Sequence, residues 1–297
     1  MKTITGFLVL FFAFNVQAQE ATPSSATSTT INSATESTPK RKDIDQEITN
    51  ARLRATSGAK KLLSIQTALT YNGGSIQEPL SKERPQLNVG ALEYDPAKIA
   101  GTVAFKYRAT DHDNILLGVG VGWLTPSHEG QKGQVENPYL GYGRVFKAAG
   151  LQNVFTAIVQ RYTAAASTKR HFAYEYGMNH TILKSIPNTK WNLSANASYS
   201  REFYTQYTGG LQDQFSLFPS VEYTLNKTFS IRTVYRGLTF YNMASAPETF
   251  IHDDATESTG VGISVTRDLY LYPNVQWVWA DMKAEKTTVA LTANINL

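Results

Sequence analysis

From residue 61 onward the chain alternates apolar and polar side chains with a period of two, the pattern of strands that show one face to an apolar phase and the other to water. The stretch 191–203 is the clearest: Trp191, Leu193, Ala195, Ala197 and Tyr199 oppose Asn192, Ser194, Asn196, Ser198 and Ser200. A face built only from Asn and Ser belongs in water. Near 61–72, Leu63, Ile65, Leu69 and Tyr71 share one parity, and Ser64, Gln66, Thr70 and Asn72 the other; near 99–109, Ile99, Val103, Phe105 and Tyr107 oppose Thr102, Lys106 and Arg108. Near 115–124, Ile115, Leu117, Val119, Val121 and Trp123 oppose Gly118, Gly120 and Gly122, glycines that leave lumen space or let another element approach. Near 171–183, Phe172, Tyr174, Tyr176, Met178 and Ile182 oppose His171, Glu175, Gly177 and Asn179; near 215–225, Phe215, Leu217, Val221, Tyr223 and Leu225 oppose Ser216, Ser220, Glu222 and Thr224. Pro219 cannot donate to a ladder and predicts a bulge or a missing bond in that strand. Strands are also expected near 229–241, 258–266, 269–281 and 287–297; 138–147 and 154–163 have strand composition but no assignable faces.

These make about twelve strands of roughly 10 to 13 residues, long enough to cross a bilayer at a barrel's tilt. A soluble secreted β-protein can show the same alternation, so the links supply a second criterion. Those at 73–98, 125–137, 204–214 and 242–257 are long, and those at 110–114, 226–227 and 267–268 are short, which fits external loops alternating with periplasmic turns. The links after the fifth and eleventh strands are shorter than that scheme prefers. The segment 87–94, LNVGALEY, reads as part of the first loop or an extension of the second strand, because a thirteenth strand would break the alternation. An even count leaves both termini in the periplasm. Trp123, Trp277 and Trp279 fall near external strand ends and Trp191 near a periplasmic end, where aromatic girdles form. Residues 287–297, TTVALTANINL, resemble the C-terminal signal of bacterial outer-membrane barrels, with Leu297 where Phe is more usual, which implies recognition by the barrel-assembly machinery. The expected fold is therefore an all-β transmembrane antiparallel up-and-down β-barrel with a short N-terminal periplasmic helix.

The N-terminal region divides in three. Residues 1–18 read as a secretory signal: Lys2, an apolar core at 7–14, then Val16-Gln17-Ala18. Residues 19–39 are a Ser/Thr/Ala-rich linker with too little apolar surface to order. Residues 40–60 suit a short helix, with Asp43, Asp45 and Glu47 early, Arg52, Arg54 and Lys60 late, and Ile44, Ile48, Ala51 and Ala55 near one face. Such a helix could tether the barrel from the periplasm or pack as a plug under its mouth. Residues 61–297 form the barrel. The chain has no cysteine, and its 28 basic and 24 acidic residues are mixed along its length, so neither disulfides nor a nucleic-acid-binding block is indicated. No run after the signal is long enough for a membrane helix.

The inward parity collects Lys106, Arg108, Glu175, Glu222, Arg232 and Arg236. Unpaired charges in a dry core cost several kcal/mol each, so these imply a hydrated lumen or close pairing. Glu222 and Arg232 share a parity across the turn at 226–227 and can lie opposite each other, bracing the wall; the excess of Lys and Arg can also bias a pore toward anions. Eight strands fill a barrel with side chains and sixteen leave it open, so about twelve predict a narrow lumen that side chains or a plug could close. No catalytic residue, metal site or cofactor is indicated. The five histidines, His112, His128, His171, His180 and His252, form no legible Ser-His pair of the kind that outer-membrane phospholipase A uses, and His252-Asp253-Asp254 reads as an exposed acidic loop.

The segment 47–90, followed by the barrel, resembles PopA-like outer-membrane proteins of predatory bacteria, with the likeness centred on 52–74. The resemblance implies barrels that associate into ring-shaped homo-oligomers in the outer membrane of a Gram-negative cell and enclose lipid. It carries no functional residue across. Three functions follow as expectations: a narrow porin-like passive channel for small polar or anionic solutes, a structural homo-oligomer that organises or encloses outer-membrane lipid, and a surface adhesin or receptor acting through the loops 73–98 and 242–257.

Overall fold

In the computed structural model the described residues are 48–57, 61–85, 87, 95–124, 133–207 and 209–297. The signal, the linker, residues 40–47 of the expected helix and most of 87–94 lie outside them. Twelve strands follow one another: β1 (Leu63–Ser75), β2 (Lys98–Arg108), β3 (Asp113–Trp123), β4 (Gln134–Ala148), β5 (Leu151–Arg161), β6 (Phe172–Ser185), β7 (Trp191–Tyr204), β8 (Leu211–Thr224), β9 (Phe229–Arg236 and Leu238–Met243), β10 (Ala246–His252 and Thr256–Ser264), β11 (Leu269–Val278) and β12 (Thr288–Asn296). Each is antiparallel to its neighbours in the chain, and β12 returns to pair with β1 from Gln66↔Asn296 to Ser75↔Thr288, so the sheet closes as a twelve-strand up-and-down barrel. Closure removes the free strand edges that an open sheet would present.

One rim carries the links 109–112, 149–150, 186–190, 225–228 and 265–268 and is called the turn end; the other is the loop end. Local chemistry sets these turns. Ala149 and Gly150 have φ of 50° and 73°, the two positive values that a tight β4–β5 hairpin requires. Asn226 Oδ1 accepts from the amides of Thr228 and Phe229 and so fixes the β8–β9 turn.

The alternation read from the sequence is the inside and outside of the wall. Leu116 is 6 % exposed and Leu117, one residue on, is 63 % exposed. Leu63, Ile65, Phe105, Ile115, Leu193, Leu217, Ile231 and Leu291 are all exposed on the outer face. The two strands without assignable faces owe this to an apolar inner surface: on β4 and β5, Val145, Val154 and Ile158 line the lumen beside Leu116. With apolar residues on both sides the period-two signal cancels.

Pro219 breaks the ladder as expected. Its strand keeps register with β7 through Pro219↔Ala195, but opposite β9 the pairing runs Leu217↔Leu238 and resumes only at Ser220↔Val234. The extra β9 residue at that shift falls at Gly237, between the two β9 segments, where a Cβ would collide with the Tyr235 ring. The expected long link 242–257 is instead a continuation of the sheet: Ala246–His252 pairs back onto Leu238–Met243, and all seven of its residues are exposed.

The N-terminal helix, α1, spans Ala51–Ser57. It has no acidic residue in its first turn, and Asn50 caps it, Oδ1 accepting from the Leu53 amide at 3.2 Å; Asp43, Asp45 and Glu47 lie outside the described residues. Of the two placements read from the sequence, α1 takes the plug position. It lies inside the barrel against β1, β10, β11 and β12.

Candidate functional site

Helix α1 is held in the turn end of the lumen by complementary surfaces. Ile48 and Leu53 are buried with Val145 and Leu183, and Val154 packs on that cluster, so the apolar patch on the inner wall is the seat of the plug. On the opposite side Ala55 is buried with Tyr270 and Tyr272. Gln152, just after the β4–β5 turn, accepts from the amides of Thr49 and Asn50 through Oε1 at 2.9 and 3.1 Å and donates to Thr49 Oγ1. Lys106 Nζ donates to the Ser57 carbonyl at 2.5 Å, at the C-terminal end of the helix where a cation is favoured. Since Lys106 is 2 % exposed, its charge depends on that carbonyl and on the lumen for stabilisation.

The six sequence-derived candidates occupy the inner wall. Lys106 touches the plug. Arg108, also buried, donates from Nη2 to the Asp111 carbonyl at the β2–β3 turn and helps shape the turn-end rim. Glu222 and Arg232 are direct cross-strand partners, as expected, yet the carboxylate is taken by others: Oε2 accepts from Asn50 Nδ2 at 3.0 Å and Oε1 from Ser230 Oγ at 2.7 Å. Arg232 lies over the Tyr272 ring, 5.2 Å from its centroid. Glu175 sits far from these, near the loop end of β6.

Three partners were not read from the sequence. Glu202 is directly opposite Glu175, and the Tyr162 hydroxyl lies 2.8 Å from Glu175 Oε2 and 2.9 Å from Glu202 Oε1. Burial, then the adjacent Glu175, push the Tyr162 hydroxyl well above its ordinary pKa, so it stays protonated. Glu202 continues the inward parity of Asn192 to Ser200, which is the signal that could have found it. The third is Arg52, whose position over the helix no strand pattern encodes.

Arg52 and Thr56 divide the lumen into two spaces. The first, about 260 Å³, is walled by Arg232 and Arg236 of β9, by Tyr270, Tyr272, Asn274 and Gln276 of β11, and by Thr292 and Asn294 of β12. The second, about 370 Å³, faces β2 to β6 and is lined by Lys106, Asn114, Thr156 and Thr181 together with the apolar seat. The room beside Gly118 is occupied: an added Cβ would lie 2.4 Å from the Tyr139 ring, so this glycine of β3 accommodates a tyrosine and not the plug. At the loop end, Arg84 reaches in from the first loop and donates from Nη2 to Gln276 Oε1 at 2.8 Å. The expected acidic loop at 252–254 is folded back, with His252 Nε2 lying 2.6 Å from the Gly237 carbonyl.

No family model matches the chain, and no curated protein does. Among solved structures it is similar to an outer membrane channel from Pseudomonas putida F1, at 8% identity over 80% of this chain and 96% of that one, with a TM-score of 0.48. It is also similar to the KdgM porin, at 11% identity over 78% and 97% with a TM-score of 0.41, and to OmpF of Salmonella typhi, at 6% identity over 79% and 97% with a TM-score of 0.39. The likeness is one of barrel architecture alone.

Proposed function

We propose that the chain is a narrow porin-like β-barrel of the outer membrane, a passive channel for small polar or anionic solutes constricted by α1, with its turn end and both termini in the periplasm. The exposed apolar outer face supports membrane residence, because so much apolar surface is compatible with lipid and not with water. The observation that carries the anionic preference is the charge that the described residues place around the plug: Arg52, Lys106, Arg232 and Arg236 against the carboxylate of Glu222, already held by Asn50 and Ser230. A cationic constriction of low dielectric attracts anions and repels cations. The test is the reversal potential of the purified full-length protein in planar bilayers under a potassium chloride gradient. A potential displaced toward the chloride equilibrium value supports the reading, and absence of conductance or displacement toward potassium removes it.

A second reading has its own support in the seating of α1 across the lumen. A barrel closed in this way can serve as a structural homo-oligomer that organises lipid, the role implied by the PopA-like resemblance. Native mass measurement in detergent tests it; monomers alone, without bound lipid, would count against it.

A further inference from the structure

We propose that the space between α1 and strands β9, β11 and β12 is a specific oxyanion-binding site for a phosphate group, either free phosphate or a small soluble phosphomonoester. The inference deepens the anion-channel reading and rests on it for the route by which the ligand arrives. Three guanidinium groups, those of Arg52, Arg232 and Arg236, border one cavity of about 260 Å³, a volume that exceeds a phosphate ion and admits a small ester. Like charges gathered this closely repel one another, and an arrangement of this kind persists most comfortably with an anion between them. Among the described residues, the Glu222 carboxylate beside the helix has both oxygens engaged, one by Asn50 and one by Ser230.

Hydrogen bonding points the same way. The Nε atoms of Arg52 and Arg232 have no contact with solvent and no hydrogen-bond partner among the described residues. Each is a buried donor left unsatisfied on a side chain that lines the cavity. Guanidinium groups offer paired donors in a planar fork that matches a tetrahedral or carboxylate oxyanion. Arg232 is pre-positioned by stacking on Tyr272, whose hydroxyl donates in turn to the Arg232 carbonyl at 3.0 Å. The remaining lining supplies neutral groups for the ester oxygens or hydroxyls of a ligand: Asn274, Gln276, Thr292 and Asn294. Gln276 is itself fixed, accepting from Arg84 and donating from Nε2 to Asn274 Oδ1 at 3.0 Å. The continuous barrel wall separates the cavity from the surrounding lipid, so a soluble phosphate and not a bilayer headgroup is the source.

The experiment titrates inorganic phosphate, and separately glycerol 3-phosphate, into the detergent-purified full-length protein at low ionic strength and follows binding by calorimetry and phosphorus NMR line width. Saturable binding of either probe is expected, weakened about tenfold or more in Arg232→Gln and in Arg236→Gln, because each removes a charge-assisted hydrogen-bonding partner. Arg144→Gln, which removes an exposed arginine paired with Asp113 on the outer face, leaves binding unchanged. Arg232→Lys, which keeps the charge and loses the fork, binds more weakly than the wild type; it also guards against a Gln variant that fails to fold. Absence of saturable binding in the wild type, or equal affinity in the wild type and both Gln variants, overturns the site. Bilayer measurements on the same samples separate the two readings: anion-selective current without phosphate binding rejects this site alone, and phosphate binding without current upholds the site while rejecting the channel.

Discussion

Truncating Leu53 to Ala addresses the proposed constriction directly, because Leu53 is the central apolar contact of the plug. The side chain is 1 % exposed and packs with Ile48, Val145 and Leu183, with Val154 beside them. Buried Leu→Ala changes cost about 2 to 5 kcal/mol, and a cluster this small beside a hydrated lumen, which can partly refill, lies toward the low end at about 2 to 3. Converted at 1.36 kcal/mol per decade, that shifts the balance between seated and unseated helix by roughly 30- to 150-fold. The helix retains its polar anchors, from Gln152 to the Thr49 and Asn50 amides, from Asn50 to Glu222, and from Lys106 to Ser57, so it stays seated most of the time and opens more often. In planar bilayers the variant shows more frequent large-conductance openings than the wild type. Limited proteolysis cuts its N-terminal segment faster, while the barrel itself resists the protease equally in both. Openings and cleavage rates indistinguishable from the wild type, in a variant whose barrel is intact, would refute the account of α1 as a plug held by this contact.

Tyr139→Ala, which removes the ring covering Gly118, widens the second lumen space and raises unitary conductance without changing the sign of ion selectivity; an unchanged or smaller conductance contradicts the geometry. Tyr162→Phe deletes the hydroxyl between Glu175 and Glu202, and the two facing carboxyl groups lose their shared donor, so the urea midpoint falls by the equivalent of about 1 to 2 kcal/mol; an unchanged midpoint would contradict the bridging role of this hydroxyl. In the link after β11, the hydrogen bonds of Lys286 and Lys283 hold the exposed Asp281 carboxyl below its ordinary pKa of 3.8. A depressed carboxylate contributes stability above the ordinary value and loses it as pH falls through the depressed one, so amide protection at Lys286 and Thr287, which both donate to the Lys283 carbonyl, declines below about pH 4 and no longer depends on pH in Asp281→Asn.

The chain's own pattern determined the wall. A period of two is a local property, legible wherever the two faces of a strand meet different media, and it placed Lys106, Arg108, Glu175, Glu222, Arg232 and Arg236 on the inner surface, paired Glu222 with Arg232 across a turn, and located the ladder fault at Pro219. It was silent on β4 and β5 because the inner surface there is apolar, and that surface is apolar because Ile48 and Leu53 rest against it. Within the link 242–257, residues 246–252 carry no strand signal for a related reason: all seven are exposed, so pairing with β9 leaves no contrast in polarity to detect. The arginine-walled space was equally hidden, since it joins Arg52 of the helix to Arg232 and Arg236, about 180 residues later, and to neutral residues of β11 and β12. Alternation fixes which way a strand residue points. Which elements a lumen brings face to face depends on closure of the sheet and on the helix threaded into it, contacts between segments distant in sequence that only the folded barrel creates.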